Sequence, residues 1–226
     1  MTPRERWLAL LDRRLPDRIP TDYQATPEVT ARLLADLDCA DEAALWRRLH
    51  VDKRKIIEPV WRLPHHADDP LADMWGVRYR KVDYGSGTYD EPVFQPLAAV
   101  TTVAEIHAHR WPDPDDFDYS PIAAAIADDD GAYPIHAGVY EPFLLYCAMR
   151  GIQQSFEDLA LNPDVADCIL GHIVDFHEEH HRRVFMAGGG RIDTTYVAED
   201  LGSQTGPLVS LATYRRFLLP NQIRMA

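Results

Sequence analysis

Thr194-Thr195-Tyr196-Val197-Ala198-Glu199-Asp200-Leu201-Gly202-Ser203-Gln204-Thr205-Gly206-Pro207 is an apolar run of strand propensity that stops at two adjacent carboxylates, a glycine and an amide. A buried parallel strand presents polar side chains at its carboxyl end in this way. Immediately before it, Gly188-Gly189-Gly190 closes a long helical pattern that opens at Asn162-Pro163-Asp164. The three glycines are read as a helix terminator, because a phosphate-binding loop follows a strand and precedes a helix.

The same alternation extends back along the chain. A helix is expected from Thr2 or Pro3 to Arg14, a short strand over Arg18 to Tyr23, and a second helix from Thr26-Pro27-Glu28 to Leu37. Thr as cap with Pro and Glu in the first turn is the start signal for that second helix. Helical spacing resumes from Asp41 to Leu49, and Lys55-Ile56-Ile57-Glu58-Pro59-Val60-Trp61 reads as the second strand. Residues 74–97 change to a period of two around Gly85-Ser86-Gly87, the pattern of an inserted β-hairpin. An acidic loop over 112–121, a short helix, a third strand over Tyr133 to Val139, a helix from Pro142 and the long helix from Asn162 complete the pattern, with a last helix over Ser210 to Leu219.

Four strands separated by helices predict parallel βαβ units, about the first half of a (β/α)8 TIM-type barrel, within a single domain 1–226. A half barrel leaves two parallel edges open. The sequence therefore leads us to expect either part of a longer barrel or edges covered by a partner, a homodimer being the simplest.

Composition narrows the partners. Of 226 residues 46% are hydrophobic, enough for one sizeable core, and the formal charge of -13 disfavours a nucleic-acid backbone as partner. No stretch reaches the roughly 20 apolar residues of a membrane span. Cys39, Cys147 and Cys168 stand far apart and the amino terminus lacks a signal-peptide core, so a cytoplasmic protein with reduced thiols is expected.

Three segments, Asp17 to Tyr23, Ala137 to Phe143 and Thr194 to Pro207, together resemble the uroporphyrinogen decarboxylase superfamily, particularly its methyltransferase-like branch. In that family an acidic pair, a Gly and a Gln follow a barrel strand, as Glu199-Asp200, Gly202 and Gln204 do here. The resemblance implies a barrel enzyme that moves a methyl group from a small methylated or methoxylated substrate to a corrinoid protein, thiol or folate. The alternatives are a decarboxylase-type carboxy-lyase of porphyrin biosynthesis and a non-catalytic ligand-binding barrel. Zinc and a corrinoid protein are the cofactor and partner the branch implies. Its zinc is held by a His-x-Cys pair and a later Cys that nothing in this chain matches, so no metal ligand is assigned. The decarboxylase's arginines after the first strand are replaced by Gln24-Ala25-Thr26, and its aspartate after the second by Glu58. An acidic mouth without arginines argues against a polyanionic tetrapyrrole.

If loops after the strands form the active face, the candidate catalytic residues are Glu58, Glu141, Glu199 and Asp200, and the candidate substrate-binding residues are Tyr23, Gln24, Trp61, Tyr140 and Gln204. The carboxylates are expected to converge on one cavity. His177-Glu178-Glu179-His180-His181 satisfies the H-E-x-x-H pattern of zinc proteases. Its helix already has an apolar stripe in Val165, Ile169, Ile173 and Phe176, so the histidines are assigned to a face free to be polar and no metal is expected between them. His65-His66 with Asp68-Asp69 is read as a solvated loop.

Overall fold

The computed structural model describes residues 1–226. Three short strands, β1 (Lys55–Ile56), β6 (Ile135–Tyr140) and β7 (Thr194–Val197), form a parallel sheet in that order. It is open, so the architecture is mixed α/β with no closed barrel. Between β1 and β6 lie two antiparallel pairs: β2 (Val60–Trp61) with β5 (Phe117–Asp118), and β3 (Arg78–Asp83) with β4 (Thr88–Phe94). The acidic loop expected over 112–121 thus contributes a strand.

The fourth parallel strand, expected over Arg18 to Tyr23, is not formed. Pro20 removes a ladder donor there, and charge fixes the segment instead. Arg18 donates twice to Asp52, at 2.6 and 2.9 Å, and the Thr21 N–H donates to the same carboxylate at 3.0 Å. Asp52 is fully buried and also takes Arg6 at 2.9 Å. The single backbone link to the β1 side is from Asp52 N to the Thr21 carbonyl, 2.7 Å.

Helices α1 (Pro3–Leu11), α2 (Pro27–Asp36) and α3 (Glu42–Leu49) precede the sheet, each capped by a Thr or Asp side chain. Behind it lie α4 (Val103–Ala108), α5 (Ser120–Ala127), α6 (Pro142–Arg150), α7 (Ile152–Leu161) and the long α8 (Pro163–Gly188). Neither α4 nor α7 is expected from the hydrophobic pattern. The terminal helical segment 211–225 contains a π turn at Tyr214–Leu218.

The principal core sits among helices rather than within the sheet. Trp75, Leu97 and Ile106 pack there against Tyr146, Met149, Ile169, Ile173 and Phe176. Burial of such side chains stabilises by roughly 1.5–3 kcal/mol each. Arg150 is held inside this core by Asp158, at 2.7 Å, and by the carbonyls of Leu97 and Val100. A buried guanidinium is tolerable only when so paired.

The sheet itself has two unlike faces. On the helix side, Ala137 packs with Ile122 and Val184, and Tyr140 packs with Val174 and Met225. On the other, Ile56, Val139 and Tyr196 remain 56%, 51% and 43% exposed. Gly138 (φ +83°) sits where the β6–β7 register shifts, and a Cβ there would collide with the His181 and Tyr140 rings. That bulge lets His136 and Val139 share the open face although they stand three residues apart.

Candidate functional site

A cavity of about 340 Å³ lies over the open face of the sheet. Its walls are Asp22, Tyr23, Gln24, Lys53, Arg54 and Ile56 from the amino-terminal part, with His136, Val139, Glu141 and Tyr196 from β6, β7 and the turn after β6. The strands explain this grouping. Alternation along β7 sends Thr194 and Tyr196 to the open face while Thr195 meets His181 behind the sheet.

Of the residues singled out from sequence, the cavity brings together Tyr23, Gln24 and Glu141. Glu58 and Tyr140 line a separate pocket of about 180 Å³ with His177, His180 and Phe176. The two meet only at Val139. Trp61 packs against the helical core. Asp200 and Gln204 are exposed beyond β7 and line neither cavity. One shared acidic mouth is therefore not what the fold builds. The chain turns away after Val197, and the bridge between Gly202 and Pro207 carries Gln204 outward.

Glu199 has a different task. Its carboxylate accepts the N–H groups of Phe143, at 2.8 Å, and Leu144, at 3.3 Å, and so caps α6 from 56 residues away in the chain. Burial pushes the carboxyl up to about 7, against the pull of those two N–H groups, and Glu141 adds like-charge repulsion. Glu199 itself lines neither cavity.

Two basic residues that sequence reading passed over change the electrostatics. Arg54 forks onto Asp22 at 2.7 and 2.9 Å and reaches His136 Nδ1 at 3.4 Å. Lys53 Nζ donates to the Tyr23 carbonyl at 2.7 Å. The cavity is thus of mixed charge. His136 Nδ1 also lies 3.0 Å from the Thr194 hydroxyl. Arginine can only donate, so Nδ1 accepts and the proton is assigned to Nε2, which has no protein partner. Burial, and then the Arg54 charge, lower the His136 pKa from its ordinary value, so the ring is neutral near pH 7. A period-two reading of Ile135 to Tyr140 would have placed His136 on one face with Gly138; the bulge hid its pairing with Val139.

The cavity does not fit the zinc that the resemblance implies. It offers one imidazole and two carboxylates, Asp22 is already engaged by Arg54, and no cysteine lines it. The histidines of the H-E-x-x-H segment belong to the buried stripe of α8 rather than a polar face. His177 and His181 turn toward Tyr140 and the sheet, both held neutral by burial with pKa values near 3. Glu178 faces away, paired to Arg224. His66 likewise is buried rather than solvated, with Nε2 at 3.0 Å from the Arg110 carbonyl.

The chain is of mixed α/β architecture, with a cleft over the open face of its parallel sheet. Among solved structures it resembles a methyltransferase from Methanosarcina mazei, with a TM-score of 0.57 and 15% identity. The match covers 98% of this chain and 65% of that protein. A scan of protein-family profiles and a search of curated proteins find no match. At this identity the likeness concerns the fold. No helix of the chain is long and apolar enough to cross a membrane.

Proposed function

We propose that the chain is methyltransferase-like, transferring a methyl group from a small methylated or methoxylated substrate to a corrinoid protein, thiol or folate, with the substrate held in the 340 Å³ cavity. The observation that carries this reading is the correspondence of fold over 98% of the chain with a methyltransferase. The cavity volume lies at the small end of the range for ligand sites, about 300–1,000 Å³. Tyr196, Val139 and Ile56 supply an apolar wall, and His136, Gln24 and Glu141 the polar contacts.

In such a transfer the acceptor's lone pair forms a bond to the methyl carbon while the carbon–oxygen bond breaks with its electrons moving to oxygen. The neutral His136 ring, with its proton on Nε2, is suited to donate a hydrogen bond to that oxygen as negative charge develops. The departing oxygen then takes up a proton, which the Nε2–H of His136 is suited to deliver and to recover from water. The carboxy-lyase alternative is less well supported. The cations it needs are already committed, Arg54 to Asp22 and Lys53 to the Tyr23 carbonyl.

The test is methyl transfer to free cob(I)alamin, followed by the absorbance of methylcobalamin, across methoxylated aromatics, methanol and methylated thiols. Turnover of one class that disappears in His136→Ala supports the reading. Absence of transfer from every class, with release of carbon dioxide from a carboxylated substrate instead, would move the assignment to the lyase.

A further inference from the structure

Behind the sheet, and apart from the cavity, three soft or borderline donors come together. His107 ends α4, while Cys168 and His172 stand one turn apart on α8. His107 Nδ1 lies 2.9 Å from His172 Nε2, and Cys168 Sγ lies 4.0 and 3.9 Å from the two ring nitrogens of His107. All three donor atoms fall within 4.8 Å of one another. Two imidazole nitrogens at that separation face each other through their lone pairs unless a proton or a cation lies between them. The edges of a tetrahedral zinc site with these ligands are about 3.3 Å for N to N and 3.6 Å for N to S, so side-chain shifts on the order of 1 Å complete it.

The surroundings hold the donors in place. The His172 ring stacks on Trp111, centroids 4.5 Å apart and planes within 9°, and Trp111 Nε1 donates to the Ile106 carbonyl of α4 at 3.0 Å. The same indole therefore braces one ligand and the backbone next to another. Orientation of a ligating imidazole by its neighbours is what raises metal affinity in built sites.

We propose that His107, Cys168 and His172 bind one divalent ion of the zinc class, with water in the fourth position, and that the ion fastens α4 to α8. Nitrogen and sulfur donors select zinc, cobalt or nickel over magnesium and calcium. The site is independent of the methyl-transfer reading, since none of its residues lines the cavity.

Titration of the purified chain with Co2+, followed by displacement with Zn2+, tests the proposal. One equivalent of Co2+ should give a thiolate-to-cobalt band in the near ultraviolet and visible bands of tetrahedral intensity. Cys168→Ser should delete the near-ultraviolet band, whereas Cys39→Ser should keep it. His107→Ala, a change at an exposed position with little effect on folding, should weaken binding about tenfold or more. Zn2+ should raise the Tm of the wild type but not of these two site variants. Binding without a thiolate band, a band lost in Cys39→Ser, or wild-type affinity retained in both Cys168→Ser and His107→Ala would overturn it.

Discussion

Acidic residues stand at both ends of the parallel strands, and the two ends treat them in opposite ways. Before β1, β6 and β7 come Asp52, Asp129 and Asp193, each bound by cations: Asp52 by Arg6 and Arg18, Asp129 by Lys55 and Arg191, and Asp193 by Arg4. After the same strands come Glu58, Glu141, Glu199 and Asp200, none of which has an ion-pair partner. Carboxylates thus serve cohesion at the amino ends and, apart from Glu199, whose oxygens accept two N–H groups of α6, stay without an ion-pair or hydrogen-bond partner at the carboxyl ends. Availability is what a ligand or a transferred proton requires.

The largest effect that could break this contrast is removal of the most buried clasp. Asp52→Ala removes the carboxylate partner of Arg18 and of the Thr21 N–H, while Arg6 keeps Asp17, and should cost about 3 kcal/mol in chemical denaturation. A loss under about 1 kcal/mol would show that the amino-terminal network is not what holds the Arg18 to Tyr23 segment in place.

Glu199 sharpens the comparison through pH. Its folded pKa of about 7 lies above the ordinary 4.5, so the folded chain holds the proton more tightly than the unfolded one. Its stabilising contribution is complete below about 4.5 and is lost as pH rises through 7. The span is up to about 3 kcal/mol, reduced by whatever water reaches the carboxyl. Glu199→Gln should therefore be flatter than the wild type between pH 5 and 8 in denaturant midpoints, and an unchanged difference between the two proteins across that interval would refute the assignment. At the small end, Glu58→Ala should alter stability by no more than about 0.5 kcal/mol, since the side chain is exposed and unpaired. A larger loss would mean that this carboxylate is a structural element after all.

Much of the layout was legible from local pattern. The order and direction of β1, β6 and β7 followed from apolar runs separated by helices, although the one strand expected over Lys55 to Trp61 breaks after Ile56 and its second half, β2, pairs antiparallel with β5; α8 was readable almost to the residue, from Asn162-Pro163 to the three glycines. The strand expected over Arg18 to Tyr23 failed because ion pairs from residues 34 positions later decide its conformation, which periodicity cannot register. The candidate site was legible only in part for a related reason. Tyr23, Gln24 and Glu141 were found because they follow strand-like runs. His136, Arg54 and Lys53 were passed over because a bulge at Gly138 and the packing of the irregular stretch before β1, both tertiary features, bring them to the cavity. Spacing could have flagged Cys168 and His172, four apart on a helix, but nothing local announces that His107 joins them.

The most direct test compares a residue of the cavity with one of the clasps at the amino ends by kcat/KM for methyl transfer to cob(I)alamin, with folding checked by circular dichroism. His136→Ala, at the cavity, should lose about a hundredfold or more with the fold intact. Arg4→Ala, which frees Asp193 at the amino ends, should lower the Tm while leaving kcat/KM within about threefold. Equal losses in the two variants, or a wild-type rate in His136→Ala, would contradict the assignment of function to the cavity over the open face of the sheet.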